Sequence, residues 1–144
     1  MAVRTNVREL SLQLALLDQQ VARHLEMRDV DLDCLALLIR HGPMGASALA
    51  RTAGLHPATL TGVLDRLEKS GWIVRARDVN DRRAVVVHAQ PDRTDRLYEL
   101  YRGLNGSMDD LLQGYDESQL ALVADFLARA REAGVVATDD LAEA

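Results

Sequence analysis

Residues 56–89 read "HPATLTGVLDRLEKSGWIVRARDVNDRRAVVVHA". The apolar period changes within this stretch. Leu60, Val63, Leu64 and Leu67 recur at helical spacing and mark one face of a helix. Pro57 suits the first helical position, Gly71 closes the helix, and Lys69 sits near its negative end. Beyond Gly71, "WIVRARD" and "RRAVVVHA" are short runs rich in β-branched residues, separated by the turn-prone "DVND". A helix that runs straight into a β-hairpin with arginines on its arms and tip decides the reading of the rest.

Working outward, "RDVDLDCLALLIRHGP" predicts a helix with Leu32, Leu35, Leu38 and Ile39 inward, capped at Gly42 and stopped by Pro43. A short helix follows over Ala46–Ala53 and ends at Gly54. Residues 5–26 predict a long helix with Leu10, Leu14, Leu17, Val21 and Leu25 on one stripe, widened by Leu12 and Leu16. So wide an apolar surface on a terminal helix calls for more than its own domain to cover it. Pro91 opens a helix to about Leu112, with Leu97, Leu100, Leu104, Met108 and Leu111 at helical spacing. "GYDES" breaks it, "SQLALVADFLARAREA" forms the last helix, and the acidic tail 134–144 is expected to fray. The fold class expected is mainly α with a small β-hairpin (α+β), in a single domain over residues 1–144.

Bulk properties narrow the function. The chain has 144 residues, a formal net charge of −5 and 3% aromatic residues. The charge is unevenly placed. Residues 51–102 hold ten Lys and Arg against seven Asp and Glu, and the remainder holds seven against fifteen. The middle is basic and both ends are acidic, and this distribution matters more than the total. A single cysteine, Cys34, excludes an internal disulfide and a multi-cysteine zinc site. With no nearby cation to stabilise a thiolate, Cys34 reads as a small, semi-buried core residue. His24, His41, His56 and His88 are scattered and make no ligand pair, so no metal or cofactor is expected. No phosphate loop, nucleophile elbow or paired catalytic carboxylates occur, which argues against an enzyme. Tyr98 and Tyr101 read as packing residues rather than a ligand pocket. No apolar run approaches the length of a membrane span, and a cytoplasmic protein is expected.

The order helix, helix, short helix, helix, hairpin, flanked by long apolar helices, resembles a winged helix-turn-helix with dimerisation helices at both ends. In detail, "HGPMGASALARTAGLHPATLTGVLDRLEKSGWIVRARDVNDRRAVVV" is similar to the multiple antibiotic resistance regulator (MarR) family, most tellingly in "LDRLEKSGWIVR" and "NDRRAVVV". The resemblance implies dimerisation helices at 5–28 and 91–133 and a winged helix-turn-helix DNA-binding region at 30–90. It departs from the family pattern after the hairpin, at "AQPDR", and at Gly62, where a basic residue is common.

The resemblance also implies a homodimeric, sequence-specific DNA-binding transcriptional regulator, a ligand-responsive repressor. Its partners would be double-stranded DNA with a pseudo-palindromic operator, a second copy of the chain and a small-molecule effector of unidentified class, with no membrane. A recognition helix in the major groove would present Ala58, Thr59, Thr61, Gly62 and Arg66, with His56 at its start. The wing would place Arg82 and Arg83 in a minor groove, where negative potential is strongest, with Arg75 and Arg77 on the backbone. The family's Asp-x-Arg wing motif maps onto Asp81 and Arg83, the carboxylate orienting the arginine. A winged-helix protein–protein adaptor that does not bind DNA is the alternative reading.

Overall fold

A computed structural model describes residues 1–81 and 83–144. The elements in chain order are α1 (Ala2–His24), α2 (Asp29–His41), β1 (Met44–Gly45), α3 (Ala46–Ala53), α4 (Pro57–Lys69), β2 (Ile73–Arg77), β3 (Val85–Ala89), α5 (Pro91–Leu112) and α6 (Glu117–Glu143). The chain forms two compact units, Met1–Leu100 and Tyr101–Ala144.

In the first unit, the apolar faces of α2, α3 and α4 meet over Leu32, Leu35, Leu38, Leu49, Leu60, Val63, Leu64 and Leu67, all buried. Val21 and Ala22 close the core from α1, Ile73 and Val87 from the hairpin, and Leu97 from α5. Cys34 is fully buried among them. Burial first, and then the nearby Asp33 and Asp31, push its thiol up to about 11, so it carries no thiolate at neutral pH.

The hairpin pairs β2 with β3 antiparallel, from Ile73 opposite Ala89 to Arg77 opposite Val85. The two-residue β1 adds to the other side of β3, with Met44 opposite Val87, in the order β1-β3-β2. The sequence gives β1 no signal of its own. It is a strand because β3 has an open edge there.

Three helix ends share one solution. At each, a left-handed residue lets two successive backbone amides reach back into the last turn. Gly54 and Leu55 bond to the carbonyls of Arg51 and Ala50, and Gly71 and Trp72 to those of Glu68 and Leu67. At the end of α1, Glu26 and Met27 bond to Arg23 and Ala22, with Glu26 at φ 54°. Gly54 and Gly71 adopt φ 66° and 81° without a Cβ penalty, whereas Glu26 bears it.

In the second unit, α6 starts at a capping box in which Asp116 accepts from the amide of Gln119 and the Gln119 side chain accepts from the amide of Asp116. It continues through the tail expected to fray. Of residues 134–143, Ala137, Leu141, Ala142 and Glu143 are good helix formers, and no proline interrupts the weaker Gly134, Val135, Val136 and Thr138. Among the described residues, no helix is long and apolar enough to cross a membrane.

Gly71 also determines how the hairpin leaves α4. A Cβ there would lie 3.4 Å from the Arg93 guanidinium, which rests over the Trp72 ring at 5.8 Å. Gly71→Ala is therefore expected to lower stability by about 1–2 kcal/mol, the cost of a left-handed non-glycine residue. Denaturant unfolding of the two proteins measures it.

Candidate nucleic-acid interface

Helix α4 presents its outer face through short side chains. Ala58, Thr59 and Thr61 are exposed, and Gly62 is half-buried. His56 caps the helix, its Nδ1 accepting from the Ala58 amide at 3.1 Å. A nitrogen that accepts carries no proton, so the cap requires the neutral ring with its proton on Nε2, the one nitrogen left to donate outward. The Thr61 hydroxyl donates back to the Pro57 carbonyl at 3.0 Å. That commits its proton and leaves an acceptor oxygen and a methyl group facing out.

Two candidate arginines are held by carboxylates. Nε and Nη2 of Arg66 donate to Asp31 Oδ2 and Oδ1 at 2.9 and 2.8 Å. Asp31, in the first turn of α2, is 3% exposed. The hydrogen bonds to Asp31 raise the Arg66 pKa above its ordinary value. Arg75 on β2 reaches back to α4. Its Nη2 lies 2.8 Å from Asp65 Oδ1 and 3.0 Å from Glu68 Oε1, and its backbone amide donates to Glu68 Oε2 at 3.2 Å. This two-acid clamp ties the hairpin to α4.

The other candidates are open. Arg77 and Arg83 are exposed, and neither guanidinium has an ion-pair partner among the described residues. The tip is shaped by two aspartates: Asp78 accepts from the Asn80 amide, and Asp81 accepts from the Arg83 amide, each at 3.0 Å. Asp81 thus holds the Arg83 backbone, whereas the resemblance implies that it orients the side chain. Arg82 lies outside the described residues. The geometry brings His56, Ala58, Thr59, Thr61 and Gly62 onto one helix face and places Arg77, Asp81 and Arg83 on the adjoining hairpin.

The sequence reading gave no role to three residues that organise this surface, Asp31, Asp65 and Glu68, although it placed Asp65 on the outer face of α4. Asp31 had a signal. It falls at the spacing of Leu32, Leu35 and Leu38, on the buried side of α2, where an acid needs a cation. Among the described residues, no group of three or more His, Cys, Asp or Glu could hold a metal ion.

Comparison with known proteins gives a consistent answer. Residues 27–85 match the sequence model of the MarR family. The chain is 34% identical over 125 residues to the uncharacterised HTH-type transcriptional regulator YcgE of Bacillus subtilis, covering 87% of this chain and 81% of YcgE. The chain belongs to the MarR family. It is a DNA-binding transcriptional regulator with a winged helix-turn-helix. A MarR family protein from Bacillus stearothermophilus has the same fold, with a TM-score of 0.71 at 15% identity over 93% of this chain and 94% of that one. NadR in complex with 4-hydroxyphenylacetate gives a TM-score of 0.65 at 24% identity over 90% and 92%.

The Arg75 clamp has a defined pH range. Hydrogen bonds from Arg75 hold the Glu68 carboxyl below its ordinary value. A carboxyl depressed by folding contributes above its unfolded pKa and loses that contribution as pH falls through the folded value. The Glu68 arm of the clamp should therefore be intact at neutral pH and loosen only in acid, below the ordinary glutamate range. Amide hydrogen exchange over residues 73–77 checks this: Arg75→Ala should speed exchange at pH 7, and wild type should match it only in acid.

Proposed function

We propose that this MarR protein is a homodimeric, sequence-specific repressor released by a small effector. Helix α4 enters the major groove, and the loop 78–84 lies along the adjacent minor groove. The observation that carries the reading is the pairing of a small-residue helix face with an adjoining hairpin whose Arg77 and Arg83 are exposed and have no ion-pair partner among the described residues. Short side chains let α4 approach base edges, while free guanidinium groups attract phosphate and a narrow groove. His56 offers its Nε2 proton to a phosphate at the start of α4.

Dimerisation rests on uncovered apolar surface. Leu10, Leu12, Leu14 and Leu16 of α1 are exposed, as are Met108, Leu111 and Leu112 of α5 and Leu122, Phe126 and Leu127 of α6. Apolar area of this extent on terminal helices suits a second copy of the chain. Two-fold symmetry then sets two α4 helices about 34 Å apart, for a pseudo-palindromic operator. An effector that changes this separation weakens binding without touching DNA. A phenolic or aromatic acid is the class to try first, given the ligand bound by NadR. The protein works in the cytoplasm, where its operator is, and its binding needs no cofactor.

Light scattering at micromolar concentration should give the mass of a dimer, and a folded monomer would refute that part. For DNA, the protein is offered a random-sequence duplex library, and its binding to an enriched duplex and to an unrelated one is titrated with salt. Arg83→Ala should weaken both by similar factors and lower the salt slope by about one unit per lost phosphate contact in each subunit. Thr61→Ala should chiefly narrow the gap between the two duplexes. If wild type retains neither duplex, the adaptor reading replaces this one.

A further inference from the structure

The Asp31–Arg66 couple combines features that an ordinary surface ion pair lacks. Asp31 is buried, and it holds Arg66 at two points, through Nε and Nη2. Two parallel bonds to one carboxylate fix the plane of a guanidinium as well as its position. The third nitrogen, Nη1, remains. It lies 3.4 Å from the point that a Cβ on Gly62 would occupy, and it has no partner among the described residues. Gly62 is one turn before Arg66 on the same helix face, beside the exposed Thr59 and Thr61. The missing side chain at residue 62 is therefore a gap with an oriented N–H group at its edge.

Charge sharpens the point. A guanidinium paired with a buried carboxylate adds no net charge to the surface, so it contributes little to the salt-dependent, sequence-blind part of DNA affinity. Its free N–H groups keep their direction. Such a group reads position rather than attracting phosphate.

We propose that Asp31 is a positioning residue for DNA recognition: it neutralises and orients Arg66 so that Nη1, exposed through the gap at Gly62, donates to a base-edge acceptor in the major groove. This rests on the reading of α4 as the recognition helix. It gives Asp31, which itself touches no base, control over the ratio between chosen and random sequence.

The test uses the full-length protein, the duplex it enriches from a random library and an unrelated duplex. Asp31→Asn leaves a one-point hold and restores the arginine's charge. Binding to the enriched duplex should fall about ten-fold. Binding to the unrelated duplex should rise, with a salt slope steeper by up to about one unit per subunit. Arg66→Lys keeps the pair neutral but cannot make the two-point hold. It should lose the same selectivity with the slope unchanged, and adding Asp31→Asn to it should cost no further selectivity. Gly62→Ala should raise the melting temperature through helix propensity and yet lower selectivity, because its methyl fills the gap through which Nη1 is reached. A purely structural couple would move both duplexes together, in step with the folded fraction.

Full selectivity in Arg66→Lys, equal losses on both duplexes, or an equal effect of Asp31→Asn in the Arg66→Lys background each overturns the proposal. Should Asp31→Asn fail to fold, Arg66→Lys and Gly62→Ala decide it. Failure of wild type to bind either duplex removes the DNA reading itself, whereas wild-type binding with unaltered variants removes this inference alone.

Discussion

Four described arginines of α4 and the hairpin, Arg66, Arg75, Arg77 and Arg83, face a choice between a carboxylate of their own chain and an acceptor elsewhere. That choice organises the surface. Arg66 is committed to the buried Asp31, and Arg75 to Asp65 and Glu68. Arg77 and Arg83 are uncommitted among the described residues. The committed pair lies where geometry must be exact to an ångström or so: Arg66 joins α4 to α2, and Arg75 joins the hairpin to α4. The uncommitted pair lies further out along the wing, where attraction over a distance is more useful than rigidity.

The sorting also accounts for a DNA-binding regulator with a formal net charge of −5. Acids adjoining α4 are not simply repulsive toward phosphate. Asp31, Asp65 and Glu68 face arginines, and Asp78 and Asp81 accept backbone amides at the wing tip. Each carboxylate is occupied by a donor that fixes a shape. Much of the remaining acidity lies in α6, which carries Asp139, Asp140 and Glu143 near its end.

How much of this was legible in the sequence depends on what each feature needs. Helix α4 and the hairpin follow from a change of period and two punctuating glycines, so their limits were readable, and the short helix expected at roughly Ala46 to Ala53 lies there. β1 was not readable, because two residues carry no period and pair only where β3 offers an edge. Residues 134–143 were expected to form an acidic tail that frays, and α6 runs through them to Glu143. On the candidate site, the sequence separates the outward residues of α4 from the core ones. It does not reveal which arginines are paired, since the partners of Arg66 and Arg75 lie 35, 10 and 7 residues away. The Asp-x-Arg motif was visible, but that its carboxylate turns to the amide of Arg83 is a property of the folded loop.

The exposed leucines of α1 pose the same question at a larger scale. Leu10 and Leu14 continue the stripe that buries Val21, yet they stand 47% and 37% exposed. One helix thus serves two surfaces, anchoring its C-terminal end in the winged unit and leaving its N-terminal half uncovered. If a second copy covers that half, the dimer interface and the α2–α4 core are joined by a single rigid element. A shift of the interface would then move α2, and with it the carboxylate that orients Arg66. Effector release and base reading would then share one lever, since a displacement of α1 would also disturb the hold of Asp31 on Arg66 of α4.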